Sequence, residues 1–134
     1  RIVCPMTPLK MLLPLVAVSA LGGCATIPPD ADGIARAGIA QTAYVNGPKV
    51  TPLAVLEDSR CPLRTQCVWA GQVRLLIRVQ TGQGYRNEEI TSGKASRIMD
   101  GWLELVETKP DRVAGAAPID TSDYVFGFRF SPGP

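Results

Sequence analysis

The segment YVFGFRF (124–130) alternates with a period of two. Tyr124, Phe126, Phe128 and Phe130 fall on one side, and Val125, Gly127 and Arg129 on the other. Successive side chains of an extended chain point to opposite faces, so this is a strand whose one face carries four aromatic rings into a core. A second segment, CVWAGQVRLLIRVQT (67–81), sets Val73, Leu75, Ile77 and Val79 against Arg74, Arg78 and Gln80, with Leu76 breaking the pattern. No stretch has the length and 3.6-residue period of an amphipathic helix. Further strands are expected at 39–45, 49–57, 85–91 and 97–108, the last with Leu103 and Leu105 opposite Trp102, Glu104 and Val106. Turn signals separate them: Asn46-Gly47-Pro48, GQG (82–84), SGKAS (92–96) and the long loop KPDRVAGAAPID (109–120). Pro52 cannot donate to a sheet ladder, so it predicts an edge or a bulge in the 49–57 strand. The expected fold is all-β: a small antiparallel β-sandwich, or partly closed barrel, of about six to seven strands.

Charge and composition narrow the function classes. The net charge of +2 comes from Arg1 and Lys10. From residue 24 onward twelve basic residues face twelve acidic ones, so no basic face for nucleic acid is implied. The sequence has no histidine, which removes histidine acid–base chemistry and most zinc or copper sites.

Residues 6–26, MTPLKMLLPLVAVSALGGCAT, place Lys10 before an apolar run from Met11 to Ala20 and then small residues before a cysteine. The run is short for a membrane span. Leu21-Gly22-Gly23-Cys24 resembles the lipobox of bacterial lipoproteins. The resemblance implies a diacylglyceryl group on the Cys24 thiol, cleavage before Cys24 and acylation of the new amine. Several acyl chains anchor stably where one is marginal. Ala25, in place of an aspartate, implies sorting to the outer membrane, facing the periplasm, in a cell with two membranes. The expected layout is a signal peptide over 1–23, a lipidated cysteine and tether over 24–37, and a β-sandwich domain over 38–134. Residues 1–5, RIVCP, precede Met6 and read as extraneous to the signal.

With Cys4 in that leader and Cys24 lipidated, Cys61 and Cys67 remain as a pair in an oxidising compartment, where a disulfide persists. They enclose only Pro62-Leu63-Arg64-Thr65-Gln66. Closing so small a loop stabilises by ~2 kcal/mol in the chain-entropy view. Cys67 and Trp69 lie two apart, so on a strand both face one way and the indole packs beside the disulfide. Asp58 and Ser59 suit a tight loop entry, and Glu57 and Asp58 can pair with Arg60 and Arg64.

DSRCP (58–62) followed by CVWAG (67–71) resembles the signature of a group of small secreted or lipid-anchored bacterial proteins of unassigned function. It brings no activity with it. DTSDYVF (120–126) resembles the tyrosine-corner pattern of immunoglobulin-like domains, with Phe126 where a cysteine usually stands. That likeness implies a loosely immunoglobulin-like sandwich in which the Tyr124 hydroxyl bonds to upstream backbone.

For the cysteine loop the favoured reading is a structural staple. A recognition loop at residues 62–66 is the next, with protease inhibition through Arg64 as its special case. A redox pair lacks the usual two-residue spacing and helix N-terminus, and two cysteines are too few ligands for a metal. Ser92 and Lys94 sit in a glycine turn, a poor setting for a nucleophile and its base. Glu88 and Glu89 are strand neighbours and point to opposite faces. The expectation is a lipid-anchored cell-envelope protein without cofactor or metal, structural or binding in role, with a membrane and an envelope protein as partners. A protein-binding or inhibitor module is the alternative, and an enzyme the third.

Overall fold

The structure, a computed structural model, describes residues 26–133. Cys4, the lipobox and Cys24 lie outside the described residues. Eight strands form two four-stranded sheets: β1 (Ala35–Ala37), β2 (Ala43–Tyr44), β3 (Lys49–Asp58), β4 (Val73–Thr81), β5 (Gly84–Thr91), β6 (Ser96–Ile98), β7 (Gly101–Lys109) and β8 (Val125–Pro132). One sheet runs β2-β3-β4-β5 and the other β1-β8-β7-β6, with every strand pair antiparallel. A small β-sandwich is therefore the fold, with one or two strands more than the sequence pattern suggests.

The alternating segments supply its core. Val73, Leu75, Ile77 and Val79 of β4 are fully buried and meet Phe126, Phe128 and Phe130 of β8 together with Leu103 and Leu105 of β7 in one cluster. Tyr124 belongs to the same cluster and stacks on Phe126, ring centroids 5.4 Å apart. Leu76 faces outward on β4, between Ala54 of β3 and Glu89 of β5. Pro52 sits in a central strand, where the register between β3 and β4 shifts at Pro52/Ala54. The bulge, rather than an edge, absorbs its missing donor.

Four boundaries differ from the sequence reading, each for a local reason. Ala40 takes a left-handed φ of 65°, and the Gly38 amide donates to Gln41 Oε1, so a turn replaces the first half of the 39–45 strand. Met99 at φ 56° folds the 97–108 segment into the β6–β7 hairpin. The 67–81 strand begins only at Val73, because Gly71 is left-handed at φ 73° and ends the extended run. The segment assigned to a tether, 24–37, is built into the sandwich from Ile27 onward. Ile27 bridges Ala43 in parallel, and β1 pairs with β8 from Ala35↔Phe128 to Ala37↔Phe126. Arg36 fastens β1 from outside, donating to Asp30, Asp32 and Glu107 at 2.5–2.8 Å.

The strand order departs from an immunoglobulin-like sandwich. β2 to β5 and β6 to β8 are two meanders in which sequence neighbours pair, and the return contact joins the first strand to the last. Among the described residues the Greek-key crossover of immunoglobulin domains has no counterpart.

Candidate functional site: the disulfide loop

The β3–β4 connection, residues 59–72, projects from one end of the sandwich. Its base is held by a ladder that continues the β3–β4 pairing: the Ser59 amide donates to the Gln72 carbonyl at 2.9 Å, and the Cys61 amide to the Ala70 carbonyl at 3.1 Å. Ser59 Oγ also accepts from the Gln72 amide at 3.0 Å. Gly71 lies inside this ladder, where a Cβ would overlap the Ser59 carbonyl. Beyond it the disulfide Cys61–Cys67 closes the loop with Cα atoms 5.9 Å apart. The sequence pairing of these two cysteines is thus the pairing in the structure.

The DSR part of the signature forms a polar knot under the loop. Asp58 takes the Arg60 guanidinium on both carboxylate oxygens at 2.8 Å. Arg60 spans to the other sheet, donating to the carbonyls of Thr108 at 2.9 Å and Pro110 at 3.0 Å. Arg112 returns a bond to the Arg60 carbonyl at 2.7 Å, and the Leu63 amide donates to the Arg112 carbonyl at 2.7 Å. The Tyr124 hydroxyl donates to Asp58 Oδ2 at 2.7 Å. So Tyr124 is not an immunoglobulin-type corner bonded to nearby upstream backbone; it bonds a carboxylate of the opposite sheet.

These contacts set the ionisation of the knot. Burial pushes the Asp58 carboxyl up, but the bonds from Arg60 and Tyr124 outweigh it and hold the group below the usual carboxylate range. Burial and the Asp58 bond raise the Tyr124 phenol above its ordinary value. The Asp58 partnership raises Arg60. Asp58, Asp111, Arg112 and Tyr124 also line a surface cavity of about 300 Å³ beneath the loop. Of the ion pairs suggested by sequence, Asp58–Arg60 forms, whereas Glu57 accepts from the Gln72 side chain instead.

The tip differs from the base. Pro62 is half-buried, whereas Leu63, Arg64, Thr65 and Gln66 are exposed. Trp69 is 82% exposed and Val68 89%, so the indole does not pack beside the disulfide. The reason is the late start of β4: with Cys67 to Ala70 outside any strand, the period-two argument that put Cys67 and Trp69 on one face has no strand to act on. Arg64 takes a left-handed φ of 63°. The residues missed by sequence reading are Thr108 near the end of β7 and Pro110 and Arg112 in the β7–β8 loop, which hold the knot mainly through backbone carbonyls and leave little sequence signal.

Of the other candidates, Ser92 Oγ accepts from the Val73 amide at 2.9 Å and so serves the start of β4. Glu89 pairs with Arg74, and Glu88 with Arg86. Among the described residues no group of three or more cysteine or acidic side chains is placed to hold a metal ion. Comparisons of the chain with protein-family models, with curated proteins and with solved structures return no match.

Proposed function

We propose that this chain is a lipid-anchored cell-envelope protein that acts by binding, through the loop end of the sandwich, rather than by catalysis. The lipobox Leu21-Gly22-Gly23-Cys24 supports export and anchoring. The Cys61–Cys67 disulfide supports an oxidising compartment. The observation that carries the binding role is the contrast within one loop. Its base is fixed by the disulfide and by bonds to both sheets, and its tip offers Leu63, Arg64, Val68 and Trp69 to the outside. A pre-ordered loop loses less conformational freedom on binding. The ionisable groups at its base are engaged with one another and with backbone, which suits a scaffold better than a reaction centre.

Mass spectrometry of the membrane fraction tests the anchor. A lipidated N-terminal cysteine at position 24 is expected, and a Cys24→Ala chain should carry none. A Cys24→Ala chain that stays fully lipidated refutes the anchor. Exposure of Leu63–Gln66 also favours the narrower reading of a protease-binding loop, although proteases bind extended segments and the left-handed Arg64 weighs against it. Loss of trypsin inhibition on Arg64→Ala would support that reading, and no inhibition by the unmodified protein would end it.

A further inference from the structure

We propose that β5 is a dimer interface: its free edge pairs, antiparallel and across a two-fold axis at Asn87, with β5 of a second copy of this chain, so that the two β2–β5 sheets become one. The inference stands apart from the loop and the anchor and concerns a lateral edge of the sandwich.

The strands β1, β2, β5 and β6 end the two sheets. A sheet edge is a row of unpaired amides and carbonyls, and folded proteins blunt it by shortness, bulges or cover. β1, β2 and β6 are two or three residues long, and β2 also has Ile27 beside it. The second half of β7, beyond the reach of β6, carries a register shift at Leu105/Glu107, and its Thr108 carbonyl is taken by Arg60. β5 has none of these protections. It is eight residues long and pairs with β4 from Thr81↔Gly84 to Arg74↔Thr91 without a shift. Gly84, Tyr85, Arg86, Asn87 and Glu89 are exposed. The direction of its bonds follows from the Ser92 amide, which donates to the Val73 carbonyl at 2.9 Å. Bonding alternates along an antiparallel strand, so Ile90, Glu88 and Arg86 also turn their amides to β4. Tyr85, Asn87 and Glu89 turn theirs outward, and no strand among the described residues lies there to meet them.

The side chains select the partner. Arg86, Glu88 and Ile90 lie opposite Val79, Ile77 and Leu75 and share the core-facing side of the sheet, while Tyr85, Asn87 and Glu89 share the outer side. Arg86 and Glu88 form an ion pair at 2.5 Å, with the arginine side chain 62% exposed. Charges turned inward on an edge strand deter pairing with an ordinary apolar strand. A second β5 is different. Outward amides fall at every other residue, so two copies pair only in registers that differ by two, and each of these keeps both cores on the same side. A two-fold at Arg86 sets arginine against arginine, and one at Glu88 sets glutamate against glutamate. At Asn87, the Arg86 of each copy faces the Glu88 of the other, and the four charges alternate in sign. Opposite charges directly across a strand pair stabilise it, and like charges destabilise it. The outer side agrees. Glu89, held by Arg74, comes opposite the second copy's Tyr85, a ring that lies under Arg78.

The other sheet leaves room for this pairing. β6 borders β7 only at Gly101–Leu103. At that end Arg97, Ile98 and Met99 line a cleft with Gly84, Tyr85 and Arg86. At the other end Glu104 to Thr108 of β7 line a cleft with Val73, Ser92 and Gly93, and β6 does not extend there. A two-fold at Asn87 reverses the strands, so the β6 end of one copy lies beside the open end of the other, and the two short strands pass each other. Such a contact uses the same edge on both copies and therefore closes at two, without propagating into a fibre.

The test uses the full chain, purified in detergent, with non-reducing electrophoresis and analytical ultracentrifugation. Asn87→Cys is expected to form a disulfide between copies, since residues facing each other in a hydrogen-bonded pair have Cα atoms about 5.5 Å apart. Glu89→Cys, which the same register sets opposite residue 85, should not link to itself. Peptide mass spectrometry identifies the link and shows Cys61–Cys67 intact. Arg86→Glu and Glu88→Arg should each weaken the dimer about tenfold, because each places like charges across the axis twice. Mixed in equal amounts, the two variants should associate at least as tightly as the unmodified chain, since every acid then faces an arginine of the other copy. Neither variant regains the ion pair within its own chain, so only pairing between chains gives that recovery, and the recovery shows that both variants fold. An unmodified chain that stays monomeric throughout the concentration series overturns the proposal. So does a dimer that Arg86→Glu leaves unchanged, a mixture no tighter than either variant alone, or a link through Glu89→Cys as ready as that through Asn87→Cys.

Discussion

The Tyr124 hydroxyl and the Asp58 carboxylate, 2.7 Å apart, join the two sheets at the end from which the disulfide loop projects. Tyr124 immediately precedes β8 and Asp58 closes β3, so this one bond fixes where the second meander sits relative to the base of the loop. Asp58 is at the same time the acceptor for Arg60, which makes it the shared member of two bonds. Tyr124→Phe removes one hydrogen bond to a charged acceptor and should cost about 2 kcal/mol in urea unfolding. Asp58→Ala strips Arg60 and Tyr124 together and should cost more, about 3 kcal/mol. A double variant no worse than Asp58→Ala alone would show that both act through this carboxylate.

The same pair makes stability depend on pH at both extremes. The Asp58 carboxyl is held below its ordinary value in the folded chain, so its contribution is present above the unfolded value and is lost as pH falls through the folded one. The Tyr124 phenol is raised, so the unfolded chain gives up that proton first and stability declines as pH climbs past the ordinary tyrosine value. Urea midpoints should therefore fall below about pH 4 and again above about pH 10. Asp58→Asn should flatten the acid limb, and Tyr124→Phe the alkaline one.

Gly71 is the position where a single methyl should do most damage. It combines a left-handed φ of 73° with a Cβ direction blocked by the Ser59 carbonyl. Gly71→Ala must open the Ser59–Gln72 ladder, a loss of about 3 kcal/mol. Gly93, also left-handed at φ 76° but with open space around it, is the control: Gly93→Ala should cost only about 1 kcal/mol.

The disulfide should matter to the loop more than to the sandwich. Its closure of a short loop is worth ~2 kcal/mol in the unfolded chain. Replacing Cys61 and Cys67 with serine should lower the urea midpoint accordingly, while near-ultraviolet circular dichroism of the buried Phe126 and Tyr124 stays native. Faster amide exchange should be confined to residues 61–70.

Arg36 offers a check on the other end of the chain. With Asp30, Asp32 and Glu107 all on one guanidinium, Arg36→Ala should free β1 from β8, seen as faster exchange of the Ala35 and Ala37 amides with β3 and β4 unchanged.

Much of the fold was legible because burial follows a period of two. The strand of Tyr124, Phe126, Phe128 and Phe130, and that of Val73 to Val79, both face the core as their patterns require. The short strands were less legible. β1 is three residues long and β2 two, and their alanines carry no pattern of their own; their pairing is decided by Phe126, Phe128 and Val50 across the gap. At the loop, the disulfide could be read from the count and spacing of cysteines. The outward turn of Trp69 could not, because it depends on the backbone of Gly71, which sequence alone marks only as a glycine after an alanine. The knot escaped for a related reason: Arg60 is held by the carbonyls of Thr108 and Pro110, and every residue has a carbonyl.

The pairing of β1 with β8 has a consequence for how the molecule comes into being. β1 has no sheet partner until residues 126–128 exist and have folded back onto it, a separation of some ninety residues. The two meanders, by contrast, need only their own hairpins and form early in any chain that emerges amino end first. During synthesis β1 must therefore wait, uncommitted, while the strands behind it assemble. The finished sandwich is sealed by the meeting of the first strand to emerge and the last.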